Sequence, residues 1–156
     1  MTDALSLSEI ELFHDLTDEE LEFVAERCQQ RLLEHEELLF RQGSPGRSLF
    51  IVLAGQIKLM HTDHLTGKGQ EISSLYPGSH LGEMSLFESH PRSLNAVAHG
   101  RTVVLQLKKT DLEQIIEEQP KLAAKLYRAL AAEIARRLRD RTQDLAEARL
   151  KLPPGC

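Results

Sequence analysis

Between residues 82 and 93 the chain reads G-E-M-S-L-F-E-S-H-P-R-S. Glu83 stands beside Gly82, and the pair Arg92-Ser93 begins ten residues after that glycine. A carboxylate accepts hydrogen bonds from sugar hydroxyls. An arginine offers a planar fork of donors that matches a phosphate. The Ser93 hydroxyl and nearby backbone N–H groups can complete an anion cradle. Met84 and Ser85 begin the short turn that follows the acid. One glycine, one acid and one Arg-Ser pair occur by chance in many chains. The weight of the motif therefore depends on the elements that hold it.

The chain has 156 residues, 41% hydrophobic and 28% charged, enough for one domain with a sizeable core. The net charge of −5 gives no global attraction to nucleic acid,. Trp is absent and Tyr occurs twice, so there is no aromatic platform for stacking single-stranded bases. No apolar run reaches the ~18 residues of a membrane span, and the first residues lack the pattern of a signal peptide. Cys28 and Cys156 are far apart, which argues against a structural disulfide and for a reducing, cytoplasmic setting. Cys28 reads as a small buried apolar residue.

The pattern along the chain changes twice. Residues 2–30 read as helical, with a capping box of Thr17 and Glu20 ahead of Leu21, Val24, Ala25 and Cys28 on one face,. Residues 31–110 are short apolar runs separated by turn residues. Strands are expected at 38–40, 49–53, 56–61, 70–75, 94–99 and 102–107. Turns are expected at 42–46, at 65–69 with Gly67 and Gly69 at positive φ, at 76–79, and at Gly100. Many short, evenly spaced strands indicate a barrel or sandwich. Helix returns with Thr110 as N-cap. Pro120 then opens a last helix that runs to about Leu152, where Pro153-Pro154 stop it,.

That last helix carries a seam. Ala124, Tyr127, Ala131, Ile134, Leu138, Arg141, Leu145, Ala148 and Leu152 alternate at intervals of three and four,. A helix of over thirty residues is ~45 Å long, more than one small domain can cover. The stripe is therefore expected to meet a second copy of the chain in a parallel homodimer.

Taken in order, these features resemble the cyclic-nucleotide-binding domain of the catabolite activator/Fnr superfamily. The resemblance covers about 12–145. It rests on Phe40-Arg41-Gln42-Gly43, the run L-F-I-V-L-A-G-Q-I-K-L at 49–59, Pro77-Gly78, Gly82-Glu83, Pro91-Arg92-Ser93, and A-R-R-L at 135–138. It implies an α+β fold over 1–152. A jelly-roll-like β-roll (a double-stranded β-helix) would be flanked by N-terminal helices and a long C-terminal dimerisation helix, with a tail at 153–156. It implies a cyclic nucleotide as ligand, cAMP first and cGMP second. Glu83 would accept the ribose 2′-hydroxyl, Arg92 would pair with the cyclic phosphate, and Ser93 would add its hydroxyl and N–H. Gly82 would let the backbone approach the sugar, and Met84 and Ser85 would complete the binding turn. Counting from A-R-R-L places Arg141 and Thr142 at the base, Thr142 as a hydrogen-bonding partner and Arg141 as a stacking one. Ser85 stands where alanine is common. Leu94 stands where the superfamily has a small residue, so it would either crowd the pocket or repack into the core.

Other chemistry finds little support. Seven histidines are scattered without metal-binding spacing,. Two cysteines cannot hold the iron–sulfur cluster of the Fnr branch. No nucleophile elbow or acid–base pair suggests an enzyme. Arg136, Arg137, Arg139 and Arg141 lie among Glu133, Asp140, Asp144 and Glu147, which reads as a solvated, salt-bridged helix face. The superfamily's transcription factors continue into a helix-turn-helix where this sequence stops, so no DNA contact is expected. The expected function is a stand-alone, non-enzymatic signalling module. It would sense the nucleotide and relay it through the dimer helix to a protein partner of unknown identity. The alternative is the same fold acting as a protein–protein interaction module with no nucleotide bound.

Overall fold

A computed structural model of the chain describes residues 6–152. Two single 3-10 turns, Leu7–Glu9 and Glu11–Phe13, lead into helix α1 (Asp18–Arg27). Its capping box forms. The Glu20 N–H donates to Thr17 Oγ1 at 3.2 Å, and the Thr17 N–H donates to the Glu20 carboxylate at 3.0 Å. Helix covers less of 2–30 than expected. Cys28 is extended, and Gln29 and Gln30 already belong to strand β1 (Gln29–Leu33), which finds a ladder partner in β8 (Thr102–Lys108). Tertiary pairing outweighs local helix propensity there. Residues 2–5 and the Pro153-Pro154 stop lie outside the described residues.

Strands β2 (Leu38–Phe40), β3 (Ser48–Ala54), β4 (Ile57–Thr62), β5 (Gly69–Leu75), β6 (His80–Leu81) and β7 (Asn95–Ala98) complete the roll. They form two antiparallel four-stranded sheets, ordered β1-β8-β3-β6 and β2-β7-β4-β5. The expected β-roll with flanking helices is the fold observed. Details differ. Gly67 takes positive φ, but Gly69 does not and opens β5 instead. Leu94 precedes β7 rather than belonging to it. The helix after the roll, α2 (Lys109–Glu118), begins before Thr110, with Lys108 as an N-cap that makes no side-chain bond. The β8 ladder runs through Lys108, which pairs with Ser48, so the chain turns straight from strand into helix.

Strand β3 shows why the core has two parts. All seven of its residues are buried. Leu49, Ile51 and Leu53 face a cluster with Val24, Leu105, Leu112, Ile115, Leu122 and Leu126, between one sheet and the helices. Phe50 and Val52 face the roll interior with Leu33, Ile57, Leu81, Ala96 and Val104. Side-chain alternation with both faces apolar yields the unbroken hydrophobic run seen in the sequence. Cys28 packs partly buried against the helical cluster. Burial, with a contribution from the Asp111 charge, pushes its thiol up to about 12, so it is no nucleophile at neutral pH.

Helix α3 (Pro120–Leu150) starts at Pro120 as expected and spans 31 residues, ~46 Å,. Its buried face is Leu122, Ala123, Leu126 and Leu130, all in its first third. The heptad seam lies elsewhere on the helix. Tyr127, stacked on Phe87 at 5.7 Å between centroids, and Ile134 are half-buried. Ala124, Ala131, Leu138, Arg141, Leu145, Ala148 and Leu152 are exposed, Leu138 at 65% and Leu145 at 57%. Tyr127 and Ile134 pack partly against their own domain, and from Leu138 onward the stripe is exposed.

Candidate functional site

Arg92 is the centre of the site. It is only 9% exposed. Its backbone is clamped by the turn after β2: the Arg92 N–H donates to the Ser44 carbonyl at 2.8 Å, and the Gly43 N–H donates to the Arg92 carbonyl at 2.8 Å. A bridge between Pro45 and Pro91 extends this clamp. The guanidinium donates from Nη1 to the Gly82 carbonyl at 3.2 Å and from Nη2 to the Ser48 carbonyl at 3.0 Å. Its Cζ sits 4.3 Å from the centre of the Phe40 ring, a cation–π contact. Nε is buried and has no partner. Among the described residues no carboxylate is ion-paired with it. Burial lowers its pKa from the usual range, and the charge of Glu83 only partly offsets that. A buried guanidinium held by carbonyls and a ring is a cation waiting for an anion.

Two glycines leave room for that guanidinium. Gly82 is left-handed, at φ 80, and a Cβ there would lie 2.5 Å from Arg92 Nη1 and 2.9 Å from the Ser48 carbonyl. At Gly46 a Cβ would lie 2.7 Å from both Cζ and Nε of Arg92. Ser85, also buried, donates its hydroxyl to the Gly82 carbonyl at 2.7 Å and also reaches the Ser48 carbonyl at 3.3 Å. It therefore ties together the same two carbonyls that seat the arginine.

Glu83 begins a 3-10 turn (Glu83–Leu86) and is 8% exposed. Its carboxylate accepts from Arg137 Nη1 at 2.8 Å, and Arg137 Nη2 donates to the His80 carbonyl at 2.6 Å. His80 Nδ1 lies 3.4 Å from the second carboxylate oxygen, and neither ring nitrogen of this buried histidine has a hydrogen-bond partner. Burial alone would raise the Glu83 carboxyl. His80, the Glu83 backbone N–H and the Arg137 charge together outweigh it and hold the group below the usual carboxylate range. A depressed folded-state pKa contributes stability that is present above the unfolded value, ~4.3, and lost as pH falls through the folded one. Glu83→Gln removes that dependence. In urea unfolding from pH 7 to pH 3, the parent is expected to lose stability relative to the variant at the acid end. Parallel curves would refute the coupling.

These groups surround a cavity of about 590 Å³, within the range of small-molecule sites. The structure brings Gly82, Glu83, Met84, Ser85, Arg92, Ser93 and Arg141 to its wall. Thr142 is not among them. Its hydroxyl bonds the Leu138 carbonyl of its own helix, and it lies on a shallow groove with Ala135, Leu138, Arg139 and Ala146. Leu94 lines the cavity, half-exposed.

Sequence reasoning did not find several residues that matter. Arg137 was expected on a solvated face, yet it reaches into the site. Of the cluster, Arg136 does fit that expectation, pairing with Glu133. His80, Gly46 and the Ser48 carbonyl were likewise not assigned roles. Phe40, Leu59, Ser73 and Leu75 add walls from β2, β4 and β5. The signal for Arg137 was its place within A-R-R-L, four residues before Arg141 on one helix face.

Residues 30–119 match the cyclic nucleotide-binding domain family. The chain is 37% identical over 134 residues to the cyclic AMP receptor protein of Thermus thermophilus, covering 86% of this chain and 60% of that one. The solved structure of the Thermus thermophilus catabolite activator protein superposes with a TM-score of 0.76 at 36% identity, over 88% of this chain and 62% of that one. A cyclic nucleotide-binding domain from Methylobacillus flagellatus gives a TM-score of 0.81 at 26% identity, over 96% and 83% of the two chains. The chain thus spans about three-fifths of the Thermus protein's length.

Proposed function

The chain belongs to the cyclic nucleotide-binding domain family, and on that premise we propose that its cavity takes a cyclic purine nucleotide as a regulatory ligand. The observation that supports this is the seat of Arg92: a buried guanidinium with an orphaned Nε, no acidic partner among the described residues, and an adjoining cavity. A cyclic phosphate supplies the missing anion. Glu83 keeps acceptor capacity for a ribose hydroxyl while Arg137 neutralises its charge. Ser93, at the cavity wall, adds its hydroxyl to the phosphate. Titration calorimetry with cAMP and cGMP is expected to give saturable heat. No heat with either nucleotide would reject the reading.

A ribose hydroxyl on Glu83 would share that carboxylate with Arg137, which belongs to α3. Ligand binding therefore biases how α3 is held on the roll, and the exposed seam is the surface on which a second copy would feel it. In this reading the protein is a non-enzymatic, cytoplasmic signalling dimer that acts on a further protein. The seam is tested apart from the ligand. The double variant Leu138→Glu/Leu145→Glu is expected to sediment as a monomer at tens of micromolar, where the parent sediments as a dimer. A parent that is itself monomeric would remove the dimer. One observation favours the ligand-free interaction module instead. Glu83 already has a cationic partner in Arg137 at 2.8 Å, so half of the site is satisfied without nucleotide.

A further inference from the structure

We propose that His80 is a positioning residue of the site: its ring, from within the roll, holds the Glu83 carboxylate in place for the ribose hydroxyl, and does so in a proton-dependent way. The role rests on the nucleotide reading above and deepens it. His80 is 3% exposed and belongs to the two-residue strand β6, where its backbone pairs with Ile51 of β3. Nδ1 lies 3.4 Å from the second carboxylate oxygen of Glu83, and both ring nitrogens are buried without a hydrogen-bond partner. A buried polar ring left in that state costs free energy. An apolar side chain would fill the same space without that cost, so the ring needs a task to justify its place.

The Glu83 carboxylate is gripped from two sides. Arg137, on α3, donates to one oxygen at 2.8 Å. His80, on the sheet, stands beside the other. Burial would raise the Glu83 carboxyl, and His80 heads the groups that hold it down instead, ahead of Arg137. The charges that face His80 come from two elements. Glu83 lies in the 3-10 turn, and Arg137 and Glu133 lie on α3. Arg136 holds the Glu133 carboxyl low, and the charge of His80 adds to that effect. On the β3 side the paired residue is the apolar Ile51.

The two grips differ in kind. A guanidinium is always charged, whereas an imidazole changes charge between about pH 5 and 8. Protonated, the ring donates from Nδ1 and pairs with the carboxylate. Glu83 then keeps its orientation when a ribose hydroxyl takes one of its lone pairs and Arg137 shifts. Neutral, the ring either donates without charge or turns a lone pair toward the oxygen. Charge-assisted bonds are about twice as strong as neutral ones, so in the neutral state Glu83 depends mainly on Arg137.

The test is calorimetry on the full chain with cAMP and cGMP, each beside its 2′-deoxy form, at about pH 6 and about pH 8. The proteins are the parent and His80→Phe. The ratio of ribo to deoxyribo affinity reports the hydroxyl bond on Glu83. Groups that act on both forms alike cancel from it, including His90 on the cavity wall. In the parent the ratio is expected to be about tenfold at the lower pH and about threefold at the higher. In His80→Phe it should be about threefold or less at both. Exchanging an unpartnered buried ring for an apolar one of similar shape is nearly neutral for folding, and a thermal melt checks this. Where His80→Phe melts early, His80→Asn, an amide that cannot take a charge, should likewise give a ratio that does not change with pH. A parent ratio that is flat or rises with pH, or a variant ratio that still falls as the parent's does, would overturn the proposal while leaving nucleotide binding intact. Heat from none of the four nucleotides in the parent would overturn both.

Discussion

Arg92→Ala is expected to weaken cyclic-nucleotide binding at least ~100-fold while leaving the fold nearly as stable as the parent. The loss follows from what the guanidinium does. It is the buried cation of the cavity, and hydrogen bonds to a charged group are worth ~1.5–3 kcal/mol each; two of them account for the factor. The small effect on stability follows from what the guanidinium costs. It is desolvated, and its ion-pairing capacity is unspent in the free protein. Removing it leaves the Gly82 and Ser48 carbonyls with Ser85 as a remaining donor. The change in unfolding free energy is expected to stay within ~2 kcal/mol. Arg92→Lys keeps the charge but loses the planar fork, and should recover only part of the affinity. Calorimetry beside urea unfolding separates the two effects. An Arg92→Ala protein that binds like the parent would remove the phosphate role of this residue.

Gly46→Ala should damage the same site from a distance of 46 residues in sequence. Its backbone does not need positive φ, so the substitution is not strained in itself. The added Cβ would meet Cζ and Nε of Arg92 at 2.7 Å and Cβ of Ser85 at 2.9 Å. The guanidinium must leave its place between Phe40 and the two carbonyls. Overpacking of this kind costs ~1–3 kcal/mol, and a displaced arginine should lose tenfold or more in affinity, since each ~1.4 kcal/mol is a factor of ten. Gly43→Ala is the contrast. Gly43 has φ 86, and no atom lies within 4 Å of an added Cβ. It should cost ~1–2 kcal/mol in backbone strain and leave the affinity near that of the parent. If both variants bind alike, the shape of the Arg92 seat is not what governs recognition.

The contrast between these glycines bears on what a sequence can reveal. Six of the eight strands, β2 to β5 with β7 and β8, are legible because turn residues punctuate them. The doubly apolar β3 and the Thr17–Glu20 cap were legible for local reasons too. Gly82-Glu83 and Arg92-Ser93 stood out as chemistry-bearing residue types. What sequence could not show is pairing across distance. The end of helix α1 was misplaced because β8, more than seventy residues on, recruits Gln29 and Gln30. In the sequence Arg137 reads as a solvent-facing charge, because nothing near it in the chain announces Glu83. Gly46 looked like an ordinary turn residue, and only the folded chain shows the arginine occupying the space where its side chain would be. The two-residue strand β6 is too short to carry any periodicity.

The closing ladder of the roll sets an order in time. Ser48, whose carbonyl seats Arg92, pairs with Lys108 at the far end of β8. Gly46 lies just ahead of Ser48, while Gly82 and Arg92 come from two further segments. No stretch shorter than about sixty residues holds all the parts, and non-local pairing of this kind forms slowly. During synthesis the seat cannot assemble until β8 has been made and has docked. A chain interrupted before that strand would carry every motif residue and still have no place for an anion. In the finished protein the dependence runs the other way. A ligand bound at Arg92 stabilises the folded chain and not the unfolded one, so occupancy should slow unfolding more than it speeds folding.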